Sequence, residues 1–171
     1  MAADSESCKL NLDAEWQLNP DVLSLAPSIL QARPSIDLFA SRLNKQIDCY
    51  VSYWPDPEAY ATDAFSLPRK KLDFFAFPPF SIITQVLGNV QREKCKGVVV
   101  VPRWLTQTQV WWPLLTRMLI AEPVLLKGRP LFRLPSHPHL RHPLLPSLQL
   151  MACRLSSDAI RRQDTPRARK T

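Results

Sequence analysis

The sequence predicts an α/β fold, a three-layer sandwich on a mostly parallel sheet, from three observations. Between Phe74 and Val101 an apolar run, a segment of helical period and a second apolar run follow one another as strand, helix, strand. The second run, Val98-Val99-Val100-Val101, is four β-branched residues in a row, the signature of a strand covered on both faces. Further strand and helix patterns follow, and repeated β-α-β units imply a Rossmann-like domain with right-handed crossovers. The 171 residues suffice for one such domain with tails, and two would not fit.

Taken in order, residues 1–34 are broken by Pro20, Pro27 and Pro34, each of which pushes its preceding residue toward extended geometry. They form an irregular arm with a short helix from Asp21 to Gln31. Ile36 to Ala40 is a short strand, and Ser41 supplies an N-cap for a helical turn. Cys49 to Tyr53 is the next strand, ended by Trp54-Pro55-Asp56-Pro57, whose prolines forbid regular structure. Phe74 to Phe77 is a strand that Pro78-Pro79 stops abruptly. Phe80, Ile83, Val86, Leu87 and Val90 then give a helical period as far as Lys94, and Gly97 breaks that helix. Trp112 to Ile120 is a second amphipathic helix with Pro113 in its first turn, where a missing N–H costs little. Val124 to Leu126 and Leu131 to Leu134 are two more strands. Beyond Pro135, Pro138, Pro143 and Pro146 predict an extended linker, apart from a short helix over Leu145 to Leu155. The expected organisation is an arm (1–34), an α/β domain (35–134) and a basic Pro-rich tail (135–171).

Composition narrows the function classes. Gly88, Gly97 and Gly128 are too widely spaced to form a phosphate-cradling loop, which excludes a P-loop enzyme. Cys8, Cys49, Cys95 and Cys153 contain no CxxC pair, so reduced thiols in an intracellular compartment, nuclear or cytoplasmic, are expected. The polar, acidic start is not a secretory leader, and no apolar stretch reaches the ~18 to 20 residues of a membrane span. No membrane partner is expected.

The formal charge of +7 is unevenly placed: residues 1–126 hold 12 Lys+Arg against 13 Asp+Glu, a net of −1, and residues 127–171 hold 10 against 2, a net of +8. An Arg-rich segment with few acids attracts polyanions by neutralising phosphates and releasing counterions, so DNA or RNA is the leading partner, through Arg161, Arg162, Arg167, Arg169 and Lys170. A solvated terminus without a specific ligand is the other reading. Arg69-Lys70-Lys71, just ahead of the strand that leads into the double proline, either contacts phosphate at the mouth of the site or is a solvated turn.

In open α/β sheets ligands collect at the carboxyl ends of strands, and Phe77-Pro78-Pro79-Phe80 stands at such an end. The two prolines fix the backbone, and the aromatic that follows can offer its face to a base. This strand-PPF-helix-strand arrangement, with IDLFASRLNKQ upstream and Asp63-Ala64-Phe65, resembles the phage-type DNA adenine methyltransferases, whose hallmark is an Asn/Asp-Pro-Pro-Tyr/Phe turn. A longer match runs through IDLFASRLNKQ, YVSYWPDPEAYATDAFS, FFAFPPFSIITQVL, KGVVVVPRW and HPLLPSLQLMACRLS. In this order they resemble the region between ribonuclease H and recombinase in polyproteins of DIRS-type (tyrosine-recombinase) retrotransposons, from Ala3 to about Ser156.

The resemblance implies a methyltransferase-like domain in a polyprotein that serves DNA recombination and integration of its parent element. It implies that Asp37, Ala40, Asn44 and Asp63 line the place of S-adenosylmethionine, and that Phe80 matches the aromatic that holds an extruded base. The family's Asn or Asp accepts a hydrogen bond from the reacting amine, and Phe77 stands in its place. A benzyl group accepts no useful hydrogen bond, so a catalytically degenerate domain with weak nucleic-acid binding is expected, with an active S-adenosylmethionine-dependent DNA adenine methyltransferase as the alternative. Asp4, in Ala3-Asp4-Ser5-Glu6-Ser7, matches the last carboxylate of ribonuclease H. One carboxylate cannot hold a two-metal site, and ribonuclease activity is not expected.

The remaining conspicuous residues have plainer readings. His137, His139 and His142 lie among prolines without ligand-spaced neighbours and read as a solvated loop, so no metal site is expected. Trp104, Trp111 and Trp112 read as helix–sheet packing, and Asp56 as an Asx-turn residue beside proline.

Overall fold

The computed structural model describes residues 16–24, 26, 30–68, 70–103, 109–126, 131–133 and 149–160. Along the chain run β1 (Gln17–Leu18), α1 (Pro20–Leu23), β2 (Ile36–Asp37), β3 (Val51–Ser52), β4 (Ala61–Thr62), β5 (Asp73–Ala76) and α2 (Ile83–Glu93), the last entered through a 3-10 turn at Phe80–Ile82. Then come β6 (Lys96–Pro102), α3 (Trp112–Met118), β7 (Val124–Leu125), β8 (Phe132–Arg133) and β9 (Leu150–Ser156). The central sheet has the order β2-β5-β6-β9-β7, with β2, β5 and β6 parallel and β9 antiparallel to both of its neighbours. Four of its five strands therefore point one way, a mixed α/β sheet that is mostly parallel. β3 and β4 pair in parallel and join β2 through the Asp37–Tyr50 bridge, while β1 and β8 form a separate antiparallel ribbon.

Strand alternation sends side chains to two cores, one on each face of the sheet. Phe74, Ala76, Val99, Val101, Met151 and Cys153 meet Ile83, Leu87 and Val90 of α2 and Leu115 and Met118 of α3 on one face. The α2 residues recur at helical spacing, as the sequence predicts. On the other face Phe75, Val98, Val100, Leu150 and Ala152 meet Leu18, Leu23, Leu30 and Phe132 of the arm and the small ribbon. Covered on both sides, all four valines have no solvent exposure. Trp111 belongs to the first core and Trp112 packs against it, while Trp104 lies outside the described residues.

Two expectations are corrected. The helix foreseen over Leu145 to Leu155 is, from Leu150 onward, strand β9, paired with β6 over its whole length and flanked by β7. Residues 150–156, foreseen inside a linker beyond 134, are thus core of the domain. A run buried on both faces carries no period by which strand and helix can be told apart. Second, Gly97 does not stop the helix: α2 ends at Lys94, which takes the left-handed conformation at φ 53°, and Gly97 lies inside β6. A Cβ there would stand 2.6 Å from the Phe74 carbonyl oxygen and 2.7 Å from its ring.

Candidate functional site

From β2 the chain moves outward to β3 and β4, then crosses back to place β5 on the other side of β2. This reversal is a topological switch point, where open α/β sheets leave a crevice at the carboxyl ends of the strands. The turn after β2 (Leu38 to Gln46) and Phe77-Pro78-Pro79-Phe80 after β5 both lie there, so the fold brings together the two segments that the sequence singles out. The ladder continues into the crevice, with the Leu38 amide donating to the Phe75 carbonyl at 2.9 Å and Ala40 to Val51 at 3.1 Å.

Asp37 is 2% exposed. Its carboxylate accepts from the backbone amides of Gln46 at 2.9 Å and Phe39 at 3.4 Å, while burial pushes its pKa up to about 7 against the pull of those two bonds. Asn44 caps its own turn, accepting from the Ser41 amide at 2.6 Å and the Ser41 hydroxyl at 3.1 Å. Its amide nitrogen donates to the Trp16 carbonyl. Ala40 is buried in the β2–β3 ladder. Asp63, at the end of β4, has a left-handed φ of 64° and caps a turn, accepting from the Phe65 amide at 3.0 Å and the Ser66 hydroxyl at 2.8 Å. The carboxylates of Asp37 and Asp63 and the side-chain oxygen of Asn44 thus accept from their own turns, and the Asn44 nitrogen is held by the arm. No glycine stands in the turn after β2.

Phe77 stacks on Phe132 of β8, with ring centroids 5.7 Å apart and planes at 15°, and meets Phe80 edge-on at 6.5 Å. Phe80 packs against both cores. Pro78 is buried, Pro79 is extended at φ −52° and ψ 140°, and the Pro79 carbonyl accepts from Ile82 at 3.1 Å to start the 3-10 turn. Phe132 is a partner that sequence reasoning misses, because it comes from a strand 55 residues further on and carries no local signal. Also missed is the clasp of the arm on the post-β2 turn, where Gln17 Nε2 donates to the Lys45 carbonyl at 3.1 Å and Gln46 Nε2 to the Leu18 carbonyl at 2.5 Å.

Of the basic residues expected at the mouth of this site, Lys70 and Lys71 are not there. Lys70 and Lys71 are exposed, but they precede β5 and so lie at the opposite edge of the sheet, while Phe77 to Phe80 follow it. Arg69 and the tail residues Arg161, Arg162, Arg167, Arg169 and Lys170 lie outside the described residues, as do Asp4 and the three histidines. Asp56 is the expected Asx turn, accepting from the Glu58 amide at 3.0 Å. It also accepts from the Tyr50 hydroxyl at 2.7 Å, and burial, together with this bond, pushes Tyr50 up to about 12. Among the described residues no cluster of His, Cys, Asp and Glu could hold a metal ion, and no helix is long and apolar enough to cross a membrane. No protein-family model matches the chain, and no curated protein matches it.

Proposed function

We propose that this chain is a segment of a DIRS-type retroelement polyprotein, whose methyltransferase-like domain has lost methyl transfer and retains nucleic-acid binding in support of recombination and integration of the parent element. One antiparallel strand inserted between the last two parallel strands, as β9 is between β6 and β7, is the arrangement that methyltransferase-like Rossmann domains have, and it supports the reading. The observation that carries the loss of chemistry is the stack of Phe77 on Phe132. Where an amine must be polarised by a hydrogen-bond acceptor, a hydrocarbon ring is held in apolar packing, and a transition state there forgoes several kcal/mol of polar stabilisation. Asp37, Asn44 and Asp63, which would hold the cofactor, already bond to neighbouring groups of the chain, which supports the same conclusion.

Calorimetry with S-adenosylmethionine and labelled-methyl incorporation into DNA test it. No heat at millimolar cofactor and no label in DNA are expected. Transfer that is lost in Asp37→Ala and kept in the parent chain would establish the active methyltransferase instead.

A further inference from the structure

The topology gathers five of the described cations at one edge of the sheet. Arg33 precedes β2, Lys70 and Lys71 precede β5, and Lys94 and Lys96 lead into β6. All five are exposed. The starts of these strands are in register: Ser35 donates to the Asp73 carbonyl at 2.9 Å, Lys96 to the Leu72 carbonyl at 3.2 Å, and Asp73 stands opposite Lys96. Neighbouring strands are ~4.8 Å apart, so these side chains start from one compact strip. The acids close by are few. Glu93 and Asp158 are at this edge, and Asp73 is engaged by Arg154 at 2.6 and 2.9 Å.

Because β9 runs antiparallel, it ends at this same edge. Ser156 stands opposite Lys96, and the Ser157 amide donates to the Cys95 carbonyl at 3.2 Å. Residues 161–171, with five Lys+Arg against Asp164, follow directly from here. Among the described residues the crevice edge has no comparable excess, since Arg42 faces Asp56 at 3.7 Å, Lys45 faces Asp48 at 3.5 Å, and the negative charge of Asp63 offsets Arg103.

We propose that the strip Arg33, Lys70, Lys71, Lys94 and Lys96 binds the phosphodiester backbone of a nucleic-acid duplex on the edge opposite the Phe77–Phe80 crevice. This rests on the nucleic-acid reading above and gives it a place. About six extended residues, roughly 20 Å, separate Lys71 from Phe77, so a duplex on this edge does not deliver a base to the crevice. Binding is uncoupled from the remnant of the methyl-transfer site.

Lys71 and Lys94 allow a clean test, because both hold a left-handed φ, 67° and 53°, which glycine adopts without strain. A Lys71→Gly/Lys94→Gly chain removes two charges without loading the fold. Binding of a labelled duplex, DNA and RNA in separate arms, is followed by anisotropy between about 50 and 200 mM salt. The wild type is expected to bind with a steep salt dependence. The double variant is expected to bind several-fold more weakly, with the slope of log affinity on log salt reduced by about 2 and the thermal midpoint equal or higher. Arg103→Gln, at the crevice end of β6, is expected to leave affinity within about two-fold, as a cation outside the contact does. A full chain with Arg161→Gln, Arg162→Gln, Arg167→Gln, Arg169→Gln and Lys170→Gln is expected to lower affinity and slope further. If the double variant binds as tightly as the wild type while the five-Gln chain does not bind, the edge is a bystander and only the tail reading stands. If the wild type binds neither duplex, the nucleic-acid reading itself fails.

Discussion

Gly97 and Asp37 are single residues whose surroundings restrict what can stand in their place. At Gly97 the constraint is space: β5 and β6 approach so closely that a methyl group would press on the Phe74 backbone oxygen and ring, both buried. Gly97→Ala is expected to cost about 1–3 kcal/mol of stability through overpacking, read as a lower denaturant midpoint at unchanged slope. At Asp37 the constraint is charge. In the folded chain its carboxyl titrates near 7, against an ordinary value of 3.8. Between these values the folded state holds a proton that the unfolded state releases, so this residue's contribution to stability is full below about pH 4 and is lost as pH rises through 7. Asp37→Asn removes the buried charge and keeps one acceptor oxygen. From pH 4 to 7 the wild type is expected to lose on the order of 2–4 kcal/mol relative to that variant in urea melts. Parallel profiles would mean that the carboxylate is solvated in the folded chain.

Among the elements, those with a period or an interruption were legible in the sequence. α2 was visible because Ile83, Val86, Leu87 and Val90 recur on one face, β5 because Pro78-Pro79 cuts it off, and β6 because four β-branched residues have no place on a helix surface. β9 was hidden. Leu150, Met151, Ala152, Cys153 and Leu155 are buried on both faces, Leu, Met and Ala are good helix formers, and the prolines before them suggest a tail. Of the candidate site, the Pro-Pro turn and the post-β2 turn were legible as strand ends, while Phe132 was not, because pairing across the fold leaves no local trace. The charge count also missed Arg154, which reads as part of a basic tail and is a buried partner of Asp73, joining β9 to β5 across β6. Arg154→Met is expected to cost about 3–5 kcal/mol, since it strands a carboxylate that is mostly covered. Asp73→Asn/Arg154→Met is expected to recover part of that loss, which a double-mutant cycle of chemical melts measures.

For the whole molecule, β9 decides where the folded domain ends. Among the described strands of the central sheet it alone is antiparallel, it pairs with β6 through seven residues, and its side chains close both cores. A chain ending at Leu134 lacks it, so β6 keeps an unpaired edge and β7 loses its neighbour in the sheet. That chain is expected to give no cooperative thermal transition. A chain ending at Ile160 retains every described strand and both cores, and is expected to unfold within a few degrees of the full-length protein. Its net charge is +3 in place of +7, because five Lys+Arg and one Asp are removed. Its affinity for duplex nucleic acid is expected to fall without vanishing, because Lys70, Lys71, Lys94 and Lys96 stay on the folded edge. The two truncations therefore separate roles that the charge count merges, with residues 150–156 holding the sheet together and residues 161–171 adding net positive charge. A cooperative transition in the chain ending at Leu134 would place β9 outside the folding unit and overturn the order β6-β9-β7 from which the position of that edge follows.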